Sequence, residues 1–330
     1  MLLERDDELG RLHAALARAR RREGTLVLVS GEAGIGKTSL VREFAAEVRD
    51  SARVLAGACD DLLSPRALGP FRDMALQAGL AVPAHPDRDG YLDVLLAELG
   101  FALRPAVAIV EDAHWADDAS LDILRYLGRR VERMPVLLVV TYRAGELGDG
   151  HPLRRVLGSF PAASTLRLEL AGLSGSTVAR LAEQAGVDPD RLVAAAGGNP
   201  FYVTEILAAP GDGVPATVRD AVAGRIRALP GPTQRALEAL SVVPGQAEVA
   251  LLDGVVAGGV AALAPAEQVG MVAVRGGSVR FRHELARRAV EESLLGARRV
   301  GPGSARIRPA TASRTVAGPP SPGAARLSVT

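Results

Sequence analysis

One loop of this sequence has the residue types and spacing needed to hold phosphate groups: Gly31-Glu32-Ala33-Gly34-Ile35-Gly36-Lys37-Thr38. Glycines let a backbone approach an anion closely, with successive N–H groups pointing inward, and a helix starting near Lys37 adds its positive end. Lys37 reaches the β- and γ-phosphates as a compact cation, and the Thr38 hydroxyl is a ligand for Mg²⁺. The pattern predicts a site for a nucleoside triphosphate, ATP, with Mg²⁺; Ser39 completes its binding residues. The alternative is a glycine-rich turn that only connects a strand to a helix.

Composition adds weight to Lys37. The chain has 39 basic residues, and Lys37 is the only lysine among them. Asn199 is likewise the only asparagine. Lysine and asparagine are thus strongly disfavoured in the composition of this chain. A lysine or asparagine that is present despite this bias indicates a position where no other residue type can take its role. The guanidinium group of arginine is planar and too large to replace the compact ammonium that a phosphate loop requires.

Two acids, Glu111 and Asp112, follow the apolar run Ala106 to Val110. A phosphate loop needs a carboxylate at the end of a neighbouring strand; in such ATPases the first acid usually serves the metal and the second polarises the attacking water. This predicts Glu111 as the metal-side acid and Asp112 as the base. Glu111 is longer than the usual aspartate, so an exchange of the two roles stays open, as does a pair of acids that is simply solvated.

Arg143 follows the next apolar run, Val136 to Thr141. Ligands of parallel sheets bind beyond the carboxyl ends of the strands, which brings Arg143 within reach of a γ-phosphate. A surface ion pair is the equal alternative.

These side chains require a parallel sheet to position them. Helical periodicity marks Leu9 to Arg21 and Ser39 to Val48, and the strand candidates are Thr25 to Ser30, Arg53 to Ala58, Ala106 to Val110, Val136 to Thr141 and Thr165 to Leu170. Strands alternating with helices predict an α/β fold, a P-loop NTPase sheet covered on both faces. We place this domain at residues 1–170.

The rest of the chain predicts smaller units. Short helices between Ser174 and Ala209, broken at Gly197 to Pro200, indicate a helical lid over residues 171–213. In residues 214–296, helices precede two apolar segments joined by Arg275-Gly276-Gly277-Ser278, a hairpin pattern typical of a winged helix. Residues 297–330 are rich in Gly, Pro, Ser and Arg and contain no acid, which predicts a disordered tail.

Charge and cysteine content narrow the function classes. The chain has 39 basic residues and 38 acidic ones, so its net charge is close to zero. Such a balance gives no overall electrostatic attraction to nucleic acid or to a membrane surface. The single cysteine, Cys59, excludes an internal disulfide framework. Acids at the N-terminus do not fit a signal peptide, and no apolar run approaches membrane-spanning length. We expect a soluble, cytoplasmic protein that does not contact a membrane.

In order along the chain, these motifs resemble the STAND class of AAA+ ATPases, and more narrowly the ATPase portion of LuxR-type, MalT-like bacterial regulators. The resemblance covers roughly residues 1–296 and rests on Glu4-Arg5-Asp6-Asp7-Glu8-Leu9, the phosphate loop, Val110-Glu111-Asp112-Ala113-His114-Trp115-Ala116-Asp117, Thr141-Tyr142-Arg143, Gly198-Asn199-Pro200-Phe201-Tyr202 and Phe281-Arg282-His283-Glu284-Leu285.

The resemblance implies roles for individual residues. Arg5 borders the adenine, although the family usually has glycine where this chain has Glu4. Arg143 reports the γ-phosphate, and Pro200 closes over the base. His283 contacts the ADP phosphates and locks the resting state.

It also implies a function: a switch that ADP holds closed, that ATP opens for self-association, and that slow hydrolysis resets. Such regulators continue into sensor repeats and a DNA-binding helix-turn-helix, which this chain lacks; we therefore expect a truncated or frame-shifted member, with a genuine short form as the alternative. Direct DNA binding is not expected, because residues 214–300 hold eleven arginines against eight acids. The competing functions are a winged-helix DNA-binding module and a nucleotide-binding scaffold that does not hydrolyse.

Overall fold

A five-stranded parallel sheet forms the centre of the N-terminal part. The computed structural model describes residues 2–62, 66–80, 88–100, 104–209, 211 and 213–298. The strands are β1 (Thr25–Ser30), β2 (Arg53–Ala58), β3 (Ala106–Glu111), β4 (Val136–Tyr142) and β5 (Thr165–Glu169). They lie in the order β2-β3-β4-β1-β5 and all pairs are parallel. This confirms the predicted α/β fold class, and each predicted strand lies within one residue of its observed ends.

Helices cover both faces of the sheet because its strands are apolar on both sides. On one face, α1 (Asp6–Arg20) and α2 (Lys37–Val48) pack on the odd-numbered residues of β1, β3 and β4. On the other face lie α3 (Gly69–Gln77), α4 (Arg88–Leu99), α5 (Asp118–Gly128) and α6 (Pro152–Gly158). All seven residues of β4 are buried. The sheet is therefore a rigid base whose strand ends hold the loops that follow them.

Register brings those loops together. Ser30 at the end of β1 is aligned with Tyr142 on β4 and with Glu169 on β5. Ala58 on β2 is aligned with Glu111 on β3. The loops after β1, β3, β4 and β5 consequently leave the sheet at one edge, where the sequence predicts the phosphate site.

The C-terminal part contains α7 (Gly175–Gln184), α8 (Pro189–Ala196), α9 (Pro200–Ala208), α10 (Ala216–Arg227), α11 (Gly231–Ser241), α12 (Val249–Val255), α13 (Ala264–Gln268) and α14 (Glu284–Arg298). A small antiparallel sheet joins β6 (Ala247–Glu248), β7 (Val272–Arg275) and β8 (Ser278–Phe281). The β7–β8 turn is Gly276-Gly277, with φ of 57° and 79°, the backbone that a two-residue hairpin needs. The predicted hairpin is thus present.

One apolar core runs through the whole C-terminal part. It joins Val178 of α7 and Tyr202 of α9 to Val218, Val272 and Leu285. Residues 171–213 and 214–296, predicted as separate units, therefore share their buried side chains, and the boundary between them stays a prediction. Helix α14 continues to Arg298, two residues past the expected boundary; the predicted disorder of residues 299–330 lies outside the described residues.

Within the described ranges, no single helix is long and apolar enough to cross a membrane; one pair, Val249–Val255 and Gly259–Gln268, reaches that length and hydropathy only together and bends by 93° between its halves.

Candidate functional site

The phosphate loop connects β1 to α2 with a backbone that requires glycine. Gly36, immediately before α2, has a φ of 99°, and Gly34 has a φ of 76°. A β-carbon at Gly34 would lie 2.6 Å from the Phe201 β-carbon, so a side chain there would strain the backbone and also collide with α9. At Gly36 a β-carbon would meet no atom within 4 Å. The loop is therefore held by α9 at Gly34 and open at Gly36.

Lys37 is folded over its own loop. Its Nζ donates to the carbonyl oxygens of Gly31, at 3.1 Å, and Glu32, at 2.9 Å, and the residue is only 6% exposed. Burial lowers the pKa of Lys37 to about 8, with the positive charge of Arg143 as the next cause, against the opposing pull of Asp112. Both acceptors of this ammonium are neutral carbonyl oxygens, and a bound phosphate would supply a negatively charged one.

Glu111 and Asp112 leave β3 in different directions. Glu111, the last strand residue, continues the alternation of Val107 and Ile109, which face α1 and α2. Asp112 adopts a left-handed backbone (φ 53°, ψ 44°), and its N–H donates to Thr141 Oγ1 at 2.9 Å. The negative charge of Asp112 acts on Lys37, whose pKa it raises against the lowering by burial. Thr38, at the start of α2, is half-buried. These oxygens suit Mg²⁺, and the division of roles between the two acids stays a prediction.

Arg143 forms an ion pair with Glu146, whereas the predicted alternative was a surface ion pair. Its Nη1 lies 2.7 Å from Glu146 Oε1, and its guanidinium stacks 4.6 Å from the centre of the Trp115 ring. The pair is not on the open surface, because the two side chains are only 23% and 20% exposed. Arg143 is also close enough to Lys37 to lower its pKa. Contact with a γ-phosphate stays a prediction that this position favours.

Arg5 ties the N-terminal segment to the loop. The buried guanidinium donates from Nη2 to the carbonyl oxygens of Ile35, at 3.3 Å, and Ala171, at 2.6 Å. It thereby joins the start of α1, the phosphate loop and the segment after β5. The same residue lies on the wall of an apolar cavity of about 550 Å³. Other residues around that cavity are Leu2, Leu3, Ser39, Pro200 and Leu207.

Glu4 occupies the position where the resembled family has glycine. Its φ is +54°, a conformation that glycine adopts without strain, and its carboxylate holds the start of α7. It accepts from the Ser174 N–H at 2.7 Å, from the Ser174 hydroxyl, and from Thr177 Oγ1 at 2.6 Å. The hydrogen bonds from Ser174 and then Thr177 lower the pKa of Glu4 to about 2. The N-terminal segment is thus tied to α7 by a charged group.

We expect this contact to depend on pH. A depressed pKa in the folded state contributes stability that is present above the unfolded value, 4.5, and is lost as the pH falls toward 2. Glu4→Gln should melt below the wild type at pH 6, and the two melting temperatures should converge between pH 4.5 and pH 2. Asp50→Asn, an exposed acid beyond α2, is the control. A Glu4→Gln difference that is equal at pH 6 and pH 2 would contradict the assignment.

Helix α9 contacts the phosphate loop through its cap and its first residues. The Asn199 side chain caps α9 by accepting from the Phe201 N–H at 3.1 Å, and its Nδ2 donates to the Ala33 carbonyl at 3.0 Å. The Phe201 N–H also lies 3.2 Å from the Gly34 carbonyl. Pro200, the first residue of α9, lies on the wall of the apolar cavity, and its place over a base stays a prediction. The break predicted at Gly197 to Pro200 is where α9 meets the phosphate loop.

Glu32 connects the loop to the two residues that follow the β7–β8 hairpin. Its Oε1 lies 2.8 Å from Arg282 Nη1, and its Oε2 lies 3.0 Å from His283 Nε2. The hydrogen bond from His283 is the main cause that lowers the Glu32 pKa. The Tyr202 ring of α9 lies 5.0 Å from the His283 ring. We call Glu32, Arg282 and His283 the hairpin clamp.

A polar cavity of about 500 Å³ lies between the clamp and the strand ends. Glu32, Arg143, Glu146, Arg275, Arg280 and His283 are on its wall. Four arginines and four glutamates line it in all, so its charge is close to balanced. Of the predicted site residues outside the loop, Arg143 and His283 line this polar cavity, and Arg5 and Pro200 line the apolar one. The phosphate loop lies between them, because Ile35 is on both walls, whereas Lys37, Thr38, Glu111 and Asp112 are on neither.

Three contributors were missed from the sequence. Glu146 follows Arg143 by three residues, a spacing that one helical turn brings together, so its pairing was readable in principle. Arg282 lies in a quoted motif but is separated from Glu32 by 250 positions, and no local signal joins them. His114 also lies in a quoted motif, without a role; its buried ring has Nε2 3.2 Å from Glu146 Oε2.

Comparisons with known proteins concern the N-terminal domain and the fold. Residues 1–140 match the family model of the AAA ATPase domain. An uncharacterized protein of Rhizobium meliloti (strain 1021) is 27% identical over 62% of this chain, which spans only 24% of that relative's length. The Walker-type ATPase of Pyrococcus abyssi is 14% identical with a TM-score of 0.56, covering 88% of this chain and 96% of its own. A STAND protein with a tetratricopeptide repeat sensor, from Pyrococcus horikoshii, is 18% identical, covering 85% of this chain and 42% of its own, but its TM-score of 0.38 supports no inference. The chain therefore contains an AAA ATPase-like domain with a P-loop ATPase fold.

Proposed function

We propose that the AAA ATPase-like domain binds ATP and ADP with Mg²⁺ and acts as a nucleotide-dependent regulatory switch. The observation that carries the proposal is that one residue of the phosphate loop, Glu32, is held by Arg282 and His283 from the C-terminal part. The loop expected to receive phosphates is also the loop on which the hairpin closes. Nucleotide binding and the position of the C-terminal part would therefore be coupled.

The residues present fit a magnesium nucleotide. A nearly buried lysine with a lowered pKa, an open Gly36 and the start of α2 favour an anion. Thr38, Glu111 and Asp112 supply hard oxygen ligands of the kind that Mg²⁺ takes. The apolar cavity beside Arg5, Ser39 and Pro200 is of a size to accept an adenine ring. In this assignment Glu111 serves the metal, Asp112 orients the attacking water and Arg143 reports the γ-phosphate.

The proposed switch depends on the charged side chains that line the polar cavity. A bound diphosphate brings negative charge into the loop that carries Glu32, where Arg282 and His283 remain beside it. A γ-phosphate adds charge next to Arg143, on the polar cavity that the hairpin covers. The proposed outcome is that ADP keeps the lid and hairpin against the sheet, whereas ATP releases them and permits self-association. Slow hydrolysis would return the closed state.

The narrower assignment, to LuxR-type regulators resembling MalT, rests first on the sequence motifs. It is supported by Asn199 and Pro200 at the lid contact and by His283 at the clamp. Because the chain spans about a quarter of its curated relative, the signal, the regulated genes and the partners belong to that proposal.

Hydrogen–deuterium exchange of the hairpin tests the switch. We expect amides of residues 272–281 to exchange faster with ATP and Mg²⁺ than with ADP and Mg²⁺. In Glu32→Gln the clamp loses its charge, so both nucleotides should give the faster rate. Glu47→Gln, which removes the exposed Glu47–His13 pair at 2.7 Å, is the matched control and should behave as the wild type.

Two outcomes would contradict the proposal. Equal exchange with both nucleotides would remove the switch while leaving nucleotide binding in place. ATP binding without phosphate release, unaffected by Asp112→Asn, would instead support the scaffold that does not hydrolyse.

A further inference from the structure

We propose that Glu146 is a positioning residue that competes with the γ-phosphate for Arg143 and so sets how strongly the site prefers ATP over ADP. This rests on the proposed function, because it requires a nucleotide in the loop. Glu146 would not touch the nucleotide itself. It would act through the guanidinium that it holds.

The Arg143–Glu146 pair is built into the chain. Arg143 follows β4 directly, and a short 3₁₀ turn, Ala144–Glu146, brings the two side chains to 2.7 Å. The Trp115 ring supports the guanidinium from another side at 4.6 Å. Because the pair closes within one turn, its formation needs no distant segment to be in place. It is therefore present before any ligand arrives.

A second contact fixes the Glu146 carboxylate. Its Oε2 lies 3.2 Å from Nε2 of His114, whose side chain is 1% exposed. His114 belongs to the turn that follows Asp112, and Nε2 of His151 lies 3.0 Å from the His114 carbonyl oxygen. One carboxylate thus spans the ends of β3 and β4. It cannot turn away from Arg143 without losing its contact with His114.

Glu146 stays charged at all ordinary pH values. Burial alone would raise its pKa, but His114 and Arg143 outweigh burial and lower the pKa to about 2. Arg143 therefore always has an anionic partner, and a γ-phosphate must share or displace it. ADP has no γ-phosphate and meets no such competition. A ligand shifts an equilibrium only through a difference between its states, and this pair supplies that difference.

The test compares ATP and ADP dissociation constants, with Mg²⁺, by isothermal titration calorimetry. Glu146→Gln keeps the size of the side chain and removes its charge. We expect ATP binding to tighten by about threefold to tenfold relative to ADP, in the range of a partly exposed ion pair or slightly above. Glu146→Asp keeps the charge on a shorter stem and should give an intermediate ratio. Glu23→Gln, which removes a surface pair with Arg18 at the far end of β1, is the matched control.

Arg143→Ala identifies the route of the effect. In the double variant with Glu146→Gln, the ratio of the two dissociation constants should equal that of Arg143→Ala alone. The inference is overturned if Glu146→Gln leaves the ratio unchanged, shifts it toward ADP, or shifts it equally with and without Arg143. A lowered melting temperature with no change in the ratio would mark a purely structural role. A wild type that binds neither nucleotide would instead refute the proposed function.

Discussion

Replacing Lys37 with alanine is expected to weaken the binding of both ATP and ADP by about 100-fold, or about 2.7 kcal/mol. The Nζ group now donates to two loop carbonyls, and a bound phosphate would replace these neutral acceptors by charged ones. A bond from the ammonium to a phosphate has a charge on both partners, whereas a bond to a carbonyl has a charge on the donor alone, so the phosphate is the stronger acceptor. Titration calorimetry or displacement of a fluorescent nucleotide measures the loss.

The same variant should not lose stability without nucleotide. Lys37 has a pKa lowered to about 8 because folding removes its ammonium from water, so the ligand-free fold carries this charge at a cost. We expect the melting temperature of Lys37→Ala to equal or exceed that of the wild type, while the increase caused by ATP disappears. Lys37→Arg is the sharper companion, since it keeps the charge but not the compact shape, and should also bind weakly. Wild-type affinity in Lys37→Ala would exclude the loop as the phosphate site.

Replacing Asn199 with alanine is expected to lower the free energy of unfolding by about 2 to 3 kcal/mol. The loss of the α9 cap costs about 1 kcal/mol. Asn199 is only 2% exposed, and loss of its Nδ2 donor also leaves the part-buried Ala33 carbonyl without this partner, which adds about 1 to 2 kcal/mol. Urea denaturation measures the change.

Asp188→Ala separates the two parts of that effect. Asp188 caps α8 by accepting from the N–H groups of Asp190, at 3.0 Å, and Arg191, at 3.3 Å. Its cap makes no loop contact among the described residues. We expect this control to cost only about 1 kcal/mol and to leave nucleotide affinity unchanged. If both variants cost the same, the contact between Asn199 and the loop contributes nothing.

The sheet and the loop were readable from sequence because their determinants are local. Continuous apolar runs, glycines at fixed spacing and a helix pattern after Lys37 define β1 to β5 and the phosphate loop without knowledge of tertiary contacts. The Gly276-Gly277 turn is another such case, since few other residues adopt its backbone. Strand β6 could not be predicted from the sequence, because a strand of two residues is too short to show an alternation of apolar and polar residues.

Contacts between distant segments were not readable in this way. The hairpin clamp joins positions 250 apart, and it depends on a rigid sheet edge meeting a hairpin whose orientation is fixed by an apolar core. The role of Glu4 was equally hidden: the sequence showed a departure from glycine, but only the fold shows its carboxylate at the start of α7. Charge at Glu146 was visible, but its contact with His114 requires β3 and β4 to be neighbours.

The single lysine of this chain makes the phosphate loop chemically addressable. Acylating reagents attack neutral amines, and an amino group with a pKa of about 8 is substantially neutral in mildly alkaline buffer. Apart from the α-amino group, every lysine-directed modification must fall on position 37. Mass spectrometry of the intact chain then reports whether Lys37 has been acylated. A nucleotide that protects the loop would reduce the number of adducts per chain by one, and the measurement needs no tag or engineered label.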